Sequence, residues 1–301
     1  MVLRPELFPA PPTVAEALLA APSLAGLTAA ALAAQHAAGS VVDADGRPVD
    51  LGAPVPRPVP VYLYRDLPAE YDVPFGLEIL HADDDLVVVD KPHFLATMPR
   101  GRHVTQTALV RLRREFGNDH LAPAHRLDRL TAGVLVFTAR PEVRAAYQEL
   151  FANRLARKVY RAVAPLRPDV GATVRVANRI VKTSGDLRAR VVDGPVNAVS
   201  DITLERVRDD GLGEYLLVPQ TGRTHQLRLH MSGLGIPILG DPLYPEVDAD
   251  LAAAPDRGDF SRPLCLIASS LAFADPITGE ERRFESRRAW FPPGSAQNTG
   301  R

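Results

Sequence analysis

His125-Arg126-Leu127-Asp128-Arg129-Leu130-Thr131-Ala132-Gly133 runs directly into Val134-Leu135-Val136-Phe137. A polar stretch that ends in glycine and is followed by an apolar run reads as a loop feeding a buried strand. Asp128 lies between Arg126 and Arg129, and neighbouring guanidinium groups favour the charged form of a carboxylate. Loops docked on a rigid sheet are frequent sites of chemistry. By local composition alone, an aspartate with arginine neighbours is more often a solvated loop residue, so a chemical role for Asp128 needs support from elsewhere in the chain.

On the N-terminal side, Leu86 to Asp90 is an apolar run before Lys91-Pro92 and reads as a strand. Leu109, Leu112 and Phe116 recur near helical spacing, which predicts a helix over Thr105 to Phe116 stopped by Gly117. On the C-terminal side, Pro141 suits the first turn of a helix running to about Arg157. Strands are expected over Lys158 to Val163, Thr173 to Val181, Val199 to Val207, Glu214 to Pro219 and Leu264 to Phe273. Thr224 to Leu234 reads as a helix ended by Gly235 and Pro237. Strands and helices mix without strict alternation, which points to an α+β fold. There is no internal repeat and no Gly-rich phosphate loop of the Walker or dinucleotide type.

Residues 1–75 form a distinct leader. Thr13 and Glu16 have capping-box spacing, Ser23 is positioned to open an alanine-rich helix, and Ser40 to Pro48 reads as a strand and turn. Pro68 to Pro74 is the expected linker to a main domain over 76–293, with a polar, disordered tail at 294–301. The single cysteine, Cys265, allows no intrachain disulfide. No secretory signal is evident, and no run approaches the roughly 20 apolar residues of a spanning helix, so a soluble cytoplasmic protein with no membrane association is expected. The net charge of −1 counts against a nucleic-acid binder. Its distribution does not: Arg100 to Arg161 carries 13 Lys/Arg against 5 Asp/Glu, whereas Met1 to Phe75 carries 4 against 8. One part of the surface is therefore suited to a polyanion.

Two further constellations bear on chemistry. In Gln220-Thr221-Gly222-Arg223-Thr224-His225-Gln226-Leu227-Arg228-Leu229-His230 a strand end turns through glycine into a helix. Arg223 at the turn is suited to meet a carboxylate with both arms, and Arg228 to contact a phosphate. Lys158-Val159-Tyr160 offers a strand tyrosine that either stacks on a nucleobase or is an ordinary core aromatic.

Together, His125-Arg126-Leu127-Asp128-Arg129 with Thr131 and Gly133, Lys158-Val159-Tyr160, the Gly222 to Arg228 run with His230, Gly240-Asp241-Pro242-Leu243-Tyr244 and Asp90-Lys91-Pro92 resemble the RluA-type pseudouridine synthases. The likeness covers about Phe75 to Phe291. It implies a mixed, largely antiparallel sheet with flanking helices and a central RNA cleft, preceded by a leader similar to an S4 module though net acidic. It implies an RNA isomerase needing no cofactor, with ribosomal or transfer RNA as partner and no protein partner identified. Asp128 takes the catalytic place, Tyr160 that of the active-site tyrosine, and Arg223 that of the arginine paired with the aspartate. Arg126 maps to the arginine that fills the space of a flipped nucleotide. His125, Arg129, Lys158, His225 and Arg228 are the further expected RNA contacts. Two departures are Ala132 where serine is common, and Leu266-Ile267-Ala268 where many members carry a histidine in the middle. Two rival classes are a catalytically silent RNA binder, which would lack Asp128, and a metal hydrolase, for which His225 and His230 are badly spaced at five residues.

Overall fold

The computed structural model describes residues 1–64, 69–101, 103–170 and 173–290. The expected tail at 294–301, the end of the main domain at 291–293, and residue 68 at the head of the expected linker lie outside the described residues. Two compact units divide the chain, Met1–Pro68 and Ala69–Arg301. The boundary precedes the expected one because residues 70–75 belong to the larger unit. The Glu70 carboxylate accepts the backbone N–H groups of Val104, Thr105 and Gln106, and Arg111 donates to the carbonyls of Val73 and Phe75. Those bonds leave no free linker there.

The smaller unit holds β1 (Val2–Leu3), α1 (Val14–Leu19), α2 (Ala29–Ala37), β2 (Val41–Val42), β3 (Val59–Pro60) and β4 (Tyr62–Leu63). β1 pairs with β3 and β2 with β4, both antiparallel, over a core of Leu18, Leu32, Val41, Val55 and Val61. The capping box forms as expected: Thr13 Oγ1 accepts from Glu16 N–H and Glu16 Oε2 accepts from Thr13 N–H. The alanine-rich helix is capped by Thr28 rather than by Ser23. Gly26, at φ +96°, breaks the chain between Ser23 and that helix.

In the larger unit β5 (Glu78–Ala82), β6 (Leu86–Lys91), α3 (Ala108–Phe116), β7 (Ala122–Pro123), β8 (Ala132–Thr138) and α4 (Pro141–Ala152) come first. They are followed by β9 (Arg157–Pro165), β10 (Val174–Val181), β11 (Arg190–Val192), β12 (Ala198–Val207), β13 (Leu212–Pro219), α5 (Gln226–Gly233), α6 (Ala249–Ala253), β14 (Leu266–Ala274) and β15 (Glu281–Glu285). The strands make one sheet in the order β11-β10-β12-β13-β9-β14-β8-β6-β5, with β15 on β14 and β7 on β8. All pairings between these strands among the described residues are antiparallel except β14 with β8. The sheet is therefore two antiparallel halves joined along one parallel seam, and the Asp128 loop leads directly into that seam.

β6 and β8 are buried along their whole length because both sheet faces are covered. Val87, Val89, Leu135 and Phe137 meet Leu109 and Leu112 of α3. The alternate residues Leu86, Val88, Val134 and Val136 meet Val143, Tyr147 and Leu150 of α4. The two-residue period of a strand sorts the side chains to opposite faces, and the sequence reads as continuous apolar runs. α4 ends at Ala152, five residues before the expected Arg157, because Arg154 turns into the left-handed region at φ 61°. α5 starts at Gln226, since His225 also sits there, at φ 58°.

The seam is tight at Gly133, which faces Ala268. Its φ is +112°, and a Cβ would lie 2.2 Å from the Ala268 carbonyl oxygen. Both atoms belong to backbone, so neither can swing aside. Gly133→Ala is expected to cost more than about 2 kcal/mol, read as a lower urea midpoint with an unchanged slope.

Candidate active site

The Asp128 loop is held from behind by the segment that follows β6. Thr97 Oγ1 donates to the Leu127 carbonyl at 2.8 Å and accepts its N–H at 3.2 Å. The His93 ring donates through Nδ1 to the Leu130 carbonyl at 2.8 Å. The fully buried Lys91 ammonium donates to the carbonyls of Pro92 at 2.9 Å, Leu95 at 2.7 Å and Arg129 at 3.4 Å. Burial drives Lys91 down to about 7, against the pull of the Asp128 charge. A turn from Asp128 C=O to Thr131 N–H at 3.0 Å closes the loop. Its carbonyls are thus tied off on the inner side, and the Asp128 side chain, 26% exposed, faces outward.

The opposite wall comes from the end of β13 and the start of α5. Gln226 is buried with all its hydrogen-bonding capacity used: Oε1 accepts from Thr221 Oγ1 and Arg223 N–H, and Nε2 donates to Val199 C=O and Ser200 Oγ. His225 places Nδ1 2.9 Å from the Tyr244 hydroxyl and Nε2 3.9 Å from Asp128 Oδ2. Arg228 is only 2% exposed and grips Asp241 with two bonds, at 2.8 and 2.5 Å.

Between these walls lies a cleft of about 1010 Å³, lined by Asp128, Tyr160 and a set of cations that includes Arg126, Arg154, Arg157, Lys158 and Arg223. Asp128 is the one carboxylate among its described lining residues. Arg126, Arg154 and Arg157 are exposed and have no acidic partner among the described residues. Lys158 sits 5.0 Å from the Phe151 ring centroid, and burial lowers its pKa. Burial, followed by the negative charge of Asp128, raises the pKa of Tyr160, which keeps its phenol neutral.

The structure therefore brings Asp128, Tyr160, His125, Arg126, Lys158, Arg223, His225 and Arg228 to one cleft. Arg223 does not pair with Asp128; its Nε donates to the Asn197 carbonyl at 3.1 Å and its side chain is otherwise exposed. The fixed cations whose fields meet Asp128 are Lys91 and Arg228. Arg228, within the lining, is bonded to Asp241 and so also holds the Gly240 to Tyr244 turn. Arg129 leaves the cleft, bonding Phe94 C=O at 3.1 Å and Asp256 at 2.9 Å. His125, also within the lining, has its ring held from behind: Nε2 accepts from Val136 N–H at 3.3 Å and the ring lies 4.4 Å from that of Phe151. Arg154 and Arg157 were not singled out by sequence, although both stand in the basic stretch from Arg100 to Arg161. His225 and His230 do not converge, since His230 Nε2 goes to Asn178 Oδ1 at 3.1 Å. Among the described residues no helix is long and apolar enough to cross a membrane.

Two tests follow from this geometry. Arg228→Met strands the buried Asp241 charge and is expected to cost about 3–5 kcal/mol in urea unfolding. Burial pushes His93, His225 and His230 each down to about 4 from 6.5. Between pH 6.5 and 4 the unfolded chain binds protons that the folded chain refuses, so stability falls as pH drops through that window. Urea midpoints measured from pH 7 to 4 check the sign, and a flat or rising midpoint would contradict it.

Residues 85–233 match the family model described as RNA pseudouridylate synthase. The chain is 33% identical over 223 residues to the dual-specificity RNA pseudouridine synthase RluA of Haemophilus influenzae, covering 72% of this chain and 97% of that protein. It is 31% identical over 221 residues to tRNA pseudouridine synthase C of Pasteurella multocida, covering 68% and 88%. With RNA pseudouridine synthase 5 of Arabidopsis thaliana it shares 31% identity over 243 residues, 67% of this chain but 66% of that protein, just under two thirds of its length. Among solved structures, human RNA Pseudouridylate Synthase Domain Containing 4 superposes with a TM-score of 0.53 at 27% identity, covering 72% of this chain and 89% of that chain. A sheet built on one parallel seam, a carboxylate in a basic cleft and 33% identity across nearly the whole of the Haemophilus protein agree: the chain belongs to the RNA pseudouridylate synthase family, isomerases that act on RNA.

Proposed function

We propose that this chain converts uridine in structured ribosomal or transfer RNA to pseudouridine, with Asp128 as the reacting carboxylate. The observation that carries this reading is the composition of the cleft: one carboxylate surrounded by cations. The cations suit the phosphates of a polyanion. The lone carboxylate suits a reaction that calls for one charged group on the protein. The N1–C1′ bond breaks, the base turns, C5 bonds to C1′, the C5 hydrogen leaves as a proton and N1 gains one. Nothing is oxidised, reduced or hydrolysed in sum, so no external reactant enters the balance.

The uridine has to leave its stack to reach Asp128, at a cost of a few kcal/mol. Arg126, exposed at the cleft wall with no acidic partner among the described residues, would occupy the vacated space. The neutral ring of Tyr160 offers a face on which the extruded base can stack. Lys158 and Arg223 supply charge for the flanking backbone. One relative is a dual-specificity synthase and another a tRNA synthase, which favours a folded RNA target over one particular RNA class. A single thiol, Cys265, buried in the core, suits a reducing cytoplasm.

The test is tritium release from RNA labelled at uridine C5, using ribosomal and transfer RNA fractions from cells that lack the gene. Wild-type protein should release tritium from at least one fraction. Asp128→Asn should lose on the order of 10³-fold or more in rate, with unchanged circular dichroism, because among the described residues the Asp128 side chain makes no hydrogen bond that supports the fold. Wild-type rates in the Asn variant would overturn the assignment.

A further inference from the structure

We propose that Leu155 is an apolar wedge that presses against a base exposed beside the extruded uridine, with Arg154 and Arg157 gripping the phosphates around it. The proposal rests on the RNA-isomerase reading above. Leu155 is 68% exposed and lines the same cleft as Asp128. It is the one large aliphatic side chain in that lining to be so exposed among the described residues, the other leucines being buried.

Its exposure is not the looseness of a surface loop. Three backbone bonds close the end of α4: Asn153 N–H to Glu149 C=O at 2.8 Å, Arg154 N–H to Phe151 C=O at 3.3 Å and Leu155 N–H to Leu150 C=O at 3.0 Å. The last two form the paired closure that ends many helices, with its left-handed residue at position 154. In that closure the residue at the place of Leu155 ordinarily folds back onto the helix to bury an apolar contact. Here Leu155 stays largely exposed and lines the cleft. Glycine is the residue that takes the left-handed conformation without penalty, yet Arg154 occupies it at φ 61°. Strained non-glycine backbone of this kind concentrates where function demands a side chain. A rigid turn that forgoes its own apolar contact, and holds an arginine where glycine is cheaper, is one built to offer both side chains outward.

The occupant follows from what the turn offers. A lone exposed leucine in a cleft shared with Arg126, Arg154 and Arg157, which have no acidic partner among the described residues, is a poor match for a protein groove, which would cover more apolar area and bring acids. It is a good match for RNA, where removal of one base bares the flat apolar face of its neighbour while phosphates flank it on both sides. Proteins that distort duplexes insert leucine and similar side chains at such steps.

Kinetics on the full-length protein decide the matter. Substrates are the C5-labelled RNA fraction that wild type isomerises and a short single-stranded oligonucleotide spanning the modified uridine. Leu155→Ala should lower kcat/KM on the intact RNA by about fivefold to twentyfold, the scale of covering one leucine side chain. Leu155→Met should restore most of it, and the loss should shrink to under about twofold on the oligonucleotide, whose neighbouring bases are already unstacked. Arg154→Gly should raise the melting temperature while lowering kcat/KM on intact RNA, a trade that a purely structural residue would not show. The proposal is overturned if Leu155→Ala matches wild type on intact RNA, or if its loss is equal on both substrates. It is overturned too if Leu155→Ala instead abolishes capture of a protein partner. If wild type releases no tritium from any fraction, the isomerase reading fails and the wedge fails with it.

Discussion

The structure of the larger unit depends on how the main-chain oxygens behind Asp128 are satisfied. A tight loop that must leave one side chain facing a wet cleft cannot also leave its backbone groups unpaired in the protein interior. Thr97, His93 and Lys91 resolve this by meeting the carbonyls of residues 127, 130 and 129. Lys91 is the costly member, a buried cation that accepts a large drop in its proton affinity in order to bind three oxygens. Its charge also meets that of Asp128, so a single residue both fastens the loop and contributes to the field at the carboxylate. Removing it would leave three carbonyls without this donor.

Much of this was legible in the sequence, and the remainder was hidden for identifiable reasons. The apolar runs of β6 and β8, the capping box at Thr13, the stop at Gly117 and the turn into α5 all express local rules, and all are present. The largely antiparallel sheet and the cleft also agree with the family likeness. What the sequence did not show was which carboxylate each arginine meets. Arg129 and Arg228 stand in motifs as prominent as that of Arg126, but they are spent on Asp256 and Asp241, residues 127 and 13 positions away. Sequence gives the sign of a charge and not its partner. The short strands β5, β11 and β15 escaped because they lie at sheet edges and none has a fully buried residue, so no apolar run marks them.

The net charge of −1 conceals a strongly uneven surface. The acidic residues of the larger unit are largely consumed in pairs such as Arg175 with Asp201 and Arg208 with Asp210, away from the cleft. Around the one carboxylate of the cleft, Arg126, Arg154 and Arg157 have no acidic partner among the described residues. Local field, not total charge, governs attraction of a polyanion at distances within a Debye length. A neutral protein can therefore draw RNA to one face while the rest of its surface stays indifferent to it.

The parallel seam has a consequence for synthesis. β14 lies between β8 and β9, yet it is made last of the three, more than a hundred residues after β9. On the ribosome the growing chain carries Asp128 and Tyr160 long before it holds the strand that spaces them, and long-range pairing of this kind is slow to form. The spacing between Asp128 and Tyr160 is therefore set only once β14 has been made and has paired with β8 on one side and β9 on the other.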